Sequence, residues 1–304
     1  MSALNTCAIC HRADVVAAST PCAFGSLVVC PICQHYQVAD LGVRTVENAA
    51  VQLEFFGDEF ARRSGLFQAL YESINTRRTM RALNLARGSK VLEVGPGSGA
   101  VLAQMASEGY EVRGIDLSPA VAQQIRAQHG VEMSVHTLGE HAAAGGAAFY
   151  DAVIMRHVLE HFEAPLSALK EAGKLLRTGG KIYVAVPNMA SWHSRFQGWP
   201  GYAPYHLHYF TPRSLVRAME KAGFSVACRS SYESLSGWSN TILRSVSGRR
   251  ILKRSSPDQE VRSSSTRVAL EVARLGCGVL MTPVRWLQSA CGRGEELVVV
   301  AVKI

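Results

Sequence analysis

Four cysteines near the N-terminus have the spacing of a metal site. Cys7 and Cys10 form one C-x-x-C pair, and Cys30 and Cys33 form a second pair after 19 intervening residues. Each pair places two thiolates on one tight turn, and two facing turns supply the four soft ligands of a closed tetrahedral Zn²⁺ site. Disulfides are the alternative, but thiols stay reduced in the cytoplasm. The spacing therefore predicts structural zinc, with no open position for catalysis.

Residues 1–40 are the predicted zinc-ribbon-like module. Its apolar stretch Ser26–Cys30 has the pattern of a hairpin strand. Two features depart from the common pattern. His11 and Gln34 follow the cysteine pairs where glycine often eases the turn, and Cys22 or His35 is an alternative ligand.

Three alternate glycines follow a short apolar segment and indicate a ligand-binding turn. The apolar segment 90–94 has the pattern of a strand, and Gly95, Gly97 and Gly99 come immediately before a helical pattern. Without Cβ atoms the backbone turns sharply and approaches a ligand closely, next to the free N–H groups of the helix. A dinucleotide and an adenosyl sulfonium both fit such a turn, and the glycines alone do not choose between them.

An aspartate follows the next predicted strand. Residues 111–115 lead into Asp116, which lies 21 residues after Gly95 and is placed to accept both hydroxyls of an adenosine ribose. Ser118 and Pro119 then begin a helix that Gly130 ends. This is a βαβ unit with a nucleoside at its mouth, and both candidate ligands contain that nucleoside.

Glu93 distinguishes the two ligands. It is a carboxylate inside an apolar strand, two residues before the first glycine. A pyrophosphate would repel it, and burying it without a compensating donor or cation costs several kcal/mol. A ligand with an α-amino group and a sulfonium supplies that compensation. The alternative is a structural carboxylate bonded to a neighbouring turn.

These motifs resemble a known family. E-V-G-P-G-S-G followed by G-I-D-L-S-P is similar to motif I and the ribose-binding acid of class I S-adenosylmethionine-dependent methyltransferases. Residues 150–188 resemble that family's fourth strand, helix entry and fifth strand, and residues 206–224 resemble a branch in which a Cys-rich ribbon precedes the catalytic domain. The resemblance implies an α/β fold: a Rossmann-like seven-stranded sheet whose last strand inserts antiparallel, preceded by the zinc ribbon.

The resemblance also implies a set of residues that bind S-adenosylmethionine. Where many relatives carry an acid near the adenine, this chain has VHTLGEH, so backbone groups are expected to make that contact. The expected cofactor-binding residues are Glu93, Gly95, Gly97, Gly99, Asp116, Leu117, Thr137 and Leu138.

Methyl transfer is an in-line displacement, so the enzyme must align the acceptor and receive its proton. His157 is the first candidate base and His161 the second, with Arg156, His206 and His208 expected nearby. The alternative is that these histidines only hold loops. Separately, the segment 191–209 is rich in aromatic residues and is expected to form the wall of the acceptor pocket.

A divalent cation is a further alternative at the same place. Ubiquinone-type O-methyltransferases carry an E-x-x-E-H metal set there, and His157, Glu160 and His161 occupy the corresponding positions in this chain. The first glutamate is replaced, which makes metal-assisted catalysis the less favoured reading.

The chain has three predicted parts. The ribbon at residues 1–40 is followed by a helical linker or cap at residues 41–87 and by the methyltransferase domain at residues 88–304. A helical insertion at about 231–296 separates its last two strands. Because the insertion combines basic and apolar residues, it is compatible with a peripheral membrane contact, although the reading as a cap or a dimer surface is the favoured one.

Composition narrows the function less than the motifs do. The chain has 304 residues, 48% hydrophobic content and a net charge of +8, compatible with an anionic substrate, a membrane surface or nucleic acid. The N-terminus shows no signal-peptide pattern, and a cytoplasmic location is expected. The predicted function is methyl transfer to an oxygen of a small-molecule, sugar or lipid-linked acceptor.

Two other functions remain open at this stage. An RNA base methyltransferase with a zinc-ribbon RNA-binding module is one, although the chain has MRHV where many base-amine methyltransferases have N/D-P-P-Y/F. A non-catalytic zinc-ribbon binding protein is the other. The intact Glu93, glycines and Asp116 argue against loss of the cofactor.

Overall fold

A computed structural model describes most of the chain. The described residues are 6–22, 25–39, 66–146, 148–247 and 276–304. Most of the predicted linker before Leu66 and the middle of the insertion, 248–275, lie outside them.

The described strands form two sheets, one of four strands and one of seven. Their bounds are β1 Val16–Ala17, β2 Leu27–Val29, β3 Tyr36–Val38, β4 Lys90–Val94, β5 Glu111–Ile115, β6 Glu132–Ser134, β7 Tyr150–Arg156, β8 Leu176–Pro187, β9 His208–Tyr209, β10 Phe224–Tyr232 and β11 Glu296–Lys303.

The larger sheet has the order β10-β11-β8-β7-β4-β5-β6. The strands from β4 to β8 pair in parallel, whereas β11 lies antiparallel between β8 and β10. The predicted fold class is confirmed, including the antiparallel last strand. Because neighbouring parallel strands end at one edge, the loops after β4, β5 and β7 meet there.

Helices cover both faces of this sheet. Their bounds are α1 Leu66–Leu83, α2 Ala100–Ser107, α3 Pro119–His129, α4 Leu138–His141, α5 Pro165–Leu175, α6 Pro212–Lys221, α7 Gly237–Ser247 and α8 Thr282–Ala290. The predicted limits of α3 are confirmed, since the Ser118 side chain accepts from Val121 N–H and Gly130 ends the helix in a left-handed conformation. Side chains alternate along β4, so Val91 joins the core beside α1 and α2 while Leu92 joins the opposite core. Glu93 shares the face of Val91.

The N-terminal residues form a small antiparallel sheet of β1, β2 and β3. The expected hairpin strand is β2. Its sheet continues into the catalytic domain, because β3 also pairs with β9. The four cysteines of the ribbon lie in the same apolar cluster as Phe210 and Leu215.

Candidate active site

The glycine turn after β4 is held in a conformation that glycine favours. Gly95, Gly97 and Gly99 have φ angles of 61°, 56° and 73°. The Gly95 N–H donates to the Ile115 carbonyl at 2.9 Å, which fixes the turn against the end of β5. A Cβ on Gly95 would lie 2.8 Å from Val158 Cγ2, so this turn touches the segment after β7. The N-cap residue of α2 is Gly99, which has no side chain to cap the helix, and the Ala100 N–H donates to Ser98 Oγ at 3.3 Å.

Glu93 is a buried carboxylate, and one of its two oxygens lacks a hydrogen-bond partner among the described residues. Its side chain is 2% exposed, and the oxygen without a partner is Oε2. Burial raises the pKa of Glu93 to about 8, and the positive charge of Arg156 only partly opposes this. A cationic ligand group beside Oε2 would remove this penalty, whereas a phosphate would increase it.

Asp116 lies at the end of β5, beside the glycine turn. Its Oδ1 accepts the Ser118 N–H at 2.8 Å, and its own N–H donates to the Ser134 carbonyl. These bonds hold the carboxylate at the mouth of the βαβ unit. Burial raises the pKa of Asp116, against two backbone hydrogen bonds that lower it. Leu117 is 69% exposed beside it, where it is available to contact a ligand.

The residues expected at the adenine site have local roles in the structure. Thr137 caps α4, because its Oγ1 accepts the Glu140 N–H and its own N–H donates to Glu140 Oε2 at 2.8 Å. Leu138 is buried in the core. The adenine contact at Thr137 and Leu138 therefore stays a prediction, and the N–H of Thr137 is already in use.

His157 follows β7 and pairs with two carboxylates. Its Nε2 lies 3.0 Å from Glu296 Oε1 and its Nδ1 lies 3.6 Å from Glu160 Oε1. Desolvation favours the neutral ring, but the two carboxylates outweigh it and raise the pKa of His157 to about 10. A protonated imidazole has no lone pair for an incoming proton. This geometry favours His157 as a cation, and its role as a base stays a prediction. Its φ of 53°, uncommon for a residue other than glycine, is a strained conformation of the kind found at functional sites.

Glu160, His161 and His206 form a compact cluster beside His157. One ligand atom from each lies within 4.8 Å of the others. Glu160 is fully buried, and neither of its carboxylate oxygens has a hydrogen-bond partner among the described residues. Burial would raise the pKa of Glu160, but the surrounding imidazoles, His157 foremost, lower it to about 2. The cluster thus holds an ionised carboxylate.

Backbone carbonyls orient both histidines of this cluster. His161 Nδ1 lies 3.2 Å from the Tyr205 carbonyl, and His206 Nδ1 lies 2.8 Å from the Gly201 carbonyl. A carbonyl only accepts, so each Nδ1 carries the proton and each Nε2 keeps a lone pair when the ring is neutral. Burial lowers the pKa of His206 to about 4, which keeps that ring neutral at pH 7.

The structure places His208 and three aromatic residues elsewhere than expected. His208 turns away from the cluster and bonds to the ribbon, with its Nδ1 3.0 Å from His35 Nε2. Trp199, Tyr202 and Tyr209 are buried against the ribbon and do not line an open wall. The expectation for the whole aromatic segment was therefore wrong for these three side chains.

Sequence reasoning missed Glu296. It begins β11 and pairs with Pro187, so it lies at the edge where the parallel strands end. The signal was present, since the first residue of an antiparallel last strand must meet the carboxyl ends of its parallel neighbours.

The four cysteines meet as the zinc prediction requires. Cys7 Sγ lies 3.5 Å from Cys33 Sγ, and Cys10 Sγ lies 3.4 Å from Cys30 Sγ and 3.8 Å from Cys33 Sγ. Four sulfurs at Zn–S distances of about 2.3 Å in a tetrahedron are about 3.8 Å apart, so the cluster fits a zinc ion after small adjustments. His11 and Gln34 adopt φ angles of 58° and 57°, the conformation that glycine often supplies at such turns.

The comparisons agree with this fold. A family model described as "Methyltransferase domain" matches residues 67–229, more than half of the chain. The chain therefore belongs to the methyltransferase family, and its seven-stranded sheet is that of the class I S-adenosylmethionine-dependent members.

Individual relatives are more distant. A ubiquinone biosynthesis O-methyltransferase of Xanthomonas oryzae pv. oryzae is 29% identical over 150 residues, which cover 44% of this chain and 62% of the relative. The chain thus spans about three fifths of the length of that relative.

Two solved structures share the fold. The S-adenosylmethionine-dependent methyltransferase of Archaeoglobus fulgidus has a TM-score of 0.51 and 18% identity, over 76% of this chain and 94% of that chain. The 1,6-didemethyltoxoflavin-N1-methyltransferase of Burkholderia thailandensis, with bound S-adenosylhomocysteine, has a TM-score of 0.51 and 17% identity, over 85% and 90%.

Among the described helices, none combines the length and the apolar character needed to cross a membrane.

Proposed function

We propose that this chain transfers a methyl group from S-adenosylmethionine to an oxygen of a small-molecule, sugar or lipid-linked acceptor. The observation that carries the proposal is Glu93 with its unpaired, buried Oε2 next to the glycine turn. Family membership and the O-methyltransferase relative support it. When bound, the cofactor supplies a methyl group on a positive sulfur, which needs no covalent enzyme nucleophile.

The chain's own residues hold that cofactor by charge and hydrogen bonding. The ionised Glu93 accepts from the α-amino group, and Asp116 accepts from the ribose hydroxyls. The three glycines allow the backbone to approach the ligand, and the start of α2 directs N–H groups toward it. Leu117 covers the adenine, and backbone groups near Thr137 and Leu138 border it.

His161 is the proposed proton acceptor. In the reaction the bond between the acceptor oxygen and the methyl carbon forms, the bond between that carbon and sulfur breaks, and the acceptor's proton passes to His161 Nε2. Glu160 stabilises the resulting imidazolium, since it is a buried anion of the same cluster. His157 stays protonated between Glu160 and Glu296 and fixes the position of both carboxylates.

A divalent cation bound by the same cluster is the alternative to this proton transfer, because it would use the lone pair of His161 Nε2. A carboxylate without hydrogen bonds and two imidazoles whose Nδ1 atoms face carbonyls are a usual ligand arrangement for zinc or another first-row transition metal. His206 would take the place that His157 was expected to fill. Metal analysis of wild-type protein against Glu160→Gln tests this role: loss of one ion per chain supports it, and equal metal content in both excludes it.

The ribbon's metal is proposed to be structural zinc. Cys7, Cys10, Cys30 and Cys33 are buried, which closes the site against a substrate. Metal analysis of reduced protein should find zinc in the wild type, and the Cys33→Ser variant should contain one zinc per chain fewer than the wild type.

The insertion supports a lipid-linked or membrane-held acceptor. Its described helical residues expose a set of large apolar side chains, and 237–247 and 276–290 contain no acidic residue. The exposed set is Ile242, Leu243, Val246, Val279, Leu280, Val284, Trp286 and Leu287. Such a surface with an exposed tryptophan fits an anionic lipid interface. Flotation with anionic vesicles should carry the protein upward, and Trp286→Ser should weaken this; equal behaviour of both proteins contradicts the contact.

A thermal-shift comparison tests the central activity. S-adenosylhomocysteine should raise the melting temperature, because a ligand bound only by the folded state stabilises it, and NAD should not. Stabilisation by NAD alone would overturn the proposal. A labelled-methyl screen of metabolite fractions then identifies the acceptor, and steeply salt-dependent RNA binding would instead favour the RNA alternative.

A further inference from the structure

The ribbon is bonded into the loop that carries His206. Strand β3 pairs with β9 through Tyr36 opposite Tyr209 and Gln37 opposite His208. The Val38 N–H extends this pairing by donating to the Leu207 carbonyl at 3.0 Å. Strand β9 has two residues, and in its sheet it pairs with β3 alone among the described strands. A strand this short depends on its partner for its conformation.

Two side-chain contacts strengthen this pairing. His35 Nε2 lies 3.0 Å from His208 Nδ1, and both residues are 1% exposed. The Thr211 hydroxyl donates to the Gln34 carbonyl at 3.0 Å. Gln34 is the left-handed residue of the second cysteine turn, and its N–H donates to the Cys30 carbonyl. Gln34 and His35, at the end of that turn, therefore bond directly to Thr211 and His208, which lie on either side of Phe210 in the sequence.

The paired segment continues into the catalytic cluster. The Leu207 N–H donates to the Glu160 carbonyl at 3.0 Å, directly after His206. Leu207 and Tyr209 are buried in one apolar cluster with Leu27 and Val38 of the ribbon. An unbroken series of backbone bonds thus runs from the cysteine turn through β3 and β9 to Glu160 and His206.

The cofactor-binding residues have different supports. Gly95 bonds to the end of β5, and Asp116 bonds to Ser118 and to Ser134, the last residue of β6. These partners all belong to the βαβ unit, which pairs with the rest of the central sheet and not with the ribbon.

We propose that the ribbon is a positioning element for the acceptor-binding half of the active site: its metal holds β3, β3 holds β9, and β9 holds His206 beside Glu160. Methyl transfer then depends on the ribbon's metal, whereas cofactor binding does not. The expected loss of methyl transfer rests on the proposed function. The expected change in hydrogen exchange rests only on the contacts between the ribbon and residues 206–211.

Removing the metal should release this half of the site. The ribbon is a short segment with small strands, and such segments rarely hold their shape without metal or disulfides. Residues 207–209 would then lose their pairing partner, whereas Phe210 would keep its bridge to Asn188. Because a misplacement of about 1 Å can cost roughly 100-fold in rate, we expect transfer to fall by at least about that factor.

The experiment compares zinc-loaded full-length protein with metal-stripped protein and with Cys33→Ser. Hydrogen–deuterium exchange of peptides covering 159–161 and 206–210 gives the structural readout, and calorimetry with S-adenosylhomocysteine gives cofactor affinity. We expect faster exchange in both peptides, an affinity within about threefold of wild type, and recovery of the stripped protein on adding zinc. Cys228→Ser, at an exposed cysteine outside the cluster, is the matched control and should change nothing.

His35→Phe tests the connection without touching a cysteine. The substitution keeps an aromatic ring but removes the bond to His208. Zinc content and cofactor affinity should stay unchanged. Hydrogen exchange at 206–210 should become faster, and the rate of methyl transfer should fall. Unchanged exchange at 206–210 after zinc removal would overturn the proposal, as would parallel loss of cofactor affinity. If zinc-loaded wild type fails to bind S-adenosylhomocysteine, the proposed function fails, and the exchange result still decides the positioning role.

Discussion

The two halves of the active site are built in different ways. The cofactor half takes Glu93, the glycine turn and Asp116 from one βαβ unit, and its contacts join residues close in the sequence. The acceptor half takes Glu160 from the turn after β7, His206 from a later loop and Glu296 from the last strand, and the N-terminal ribbon pairs with the strand that follows His206. The first half is a local motif, while the second exists only once distant segments have packed. A substitution in the acceptor half should therefore lower the rate of transfer without changing cofactor affinity, and a substitution in the cofactor half should lower that affinity.

The largest expected effect separates catalysis from cofactor binding. Glu160→Gln removes the buried anion that stabilises the imidazolium, so kcat should fall by roughly 10²- to 10⁴-fold, the usual range for lost acid–base assistance. Calorimetry should show S-adenosylhomocysteine affinity close to wild type. Glu163→Gln, at an exposed glutamate three residues on, is the control and should keep its activity. Equal loss of affinity and rate in Glu160→Gln would mean that the halves are not separate.

The converse substitution is Glu93→Gln. It removes the charge that pairs with the α-amino group, and hydrogen bonds to charged groups contribute about 1.5–3 kcal/mol, so affinity should fall roughly 10- to 100-fold. Calorimetry measures this directly, with the exposed Glu108→Gln as control. Wild-type affinity in Glu93→Gln would show that this carboxylate does not hold the ligand.

The pH dependence of unfolding reports the same carboxylate without a ligand. Because burial raises the folded-state pKa of Glu93 from its ordinary 4.5 to about 8, this group stabilises the free protein fully below the unfolded pKa and loses that contribution as pH rises to about 8. Between these values the free energy of unfolding of wild type should fall relative to Glu93→Gln by up to about 1.4 kcal/mol per pH unit. Urea unfolding of both proteins from pH 5 to pH 8 measures the difference. A constant difference across this window would contradict the pKa.

The smallest effect concerns the rim of the cofactor half. Thr137→Ala removes the cap of α4 and should cost about 1 kcal/mol of stability, whereas Thr137→Ser retains the hydroxyl and should cost less. If adenine contacts backbone groups, the affinity for S-adenosylhomocysteine should be similar in both variants. A clear loss of affinity in Thr137→Ala alone would assign the contact to the hydroxyl.

The difference between the halves also explains what the sequence predicts. The glycines, Asp116 and the limits of α3 follow from local chemistry, because turns, caps and strand ends are set by neighbouring residues. The antiparallel last strand was expected from resemblance and is confirmed.

The acceptor half follows no local rule. His206 and His208 are two residues apart, yet one meets Glu160 and the other meets His35 of the ribbon. The pairing of β3 with β9 decides which histidine faces the site. Because the two strands are far apart in the sequence, local patterns do not predict which of their residues lie opposite each other. The same applies to Trp199 and Tyr202, whose burial depends on a ribbon that lies elsewhere in the chain.

The most direct test of the account is a crystal structure of the protein with S-adenosylhomocysteine. We expect the ligand's α-amino group within hydrogen-bond distance of Glu93 and its ribose hydroxyls on Asp116, with the sulfur facing the cluster of Glu160, His161 and His206. A ligand bound elsewhere, or both carboxylates turned away from it, would contradict the account.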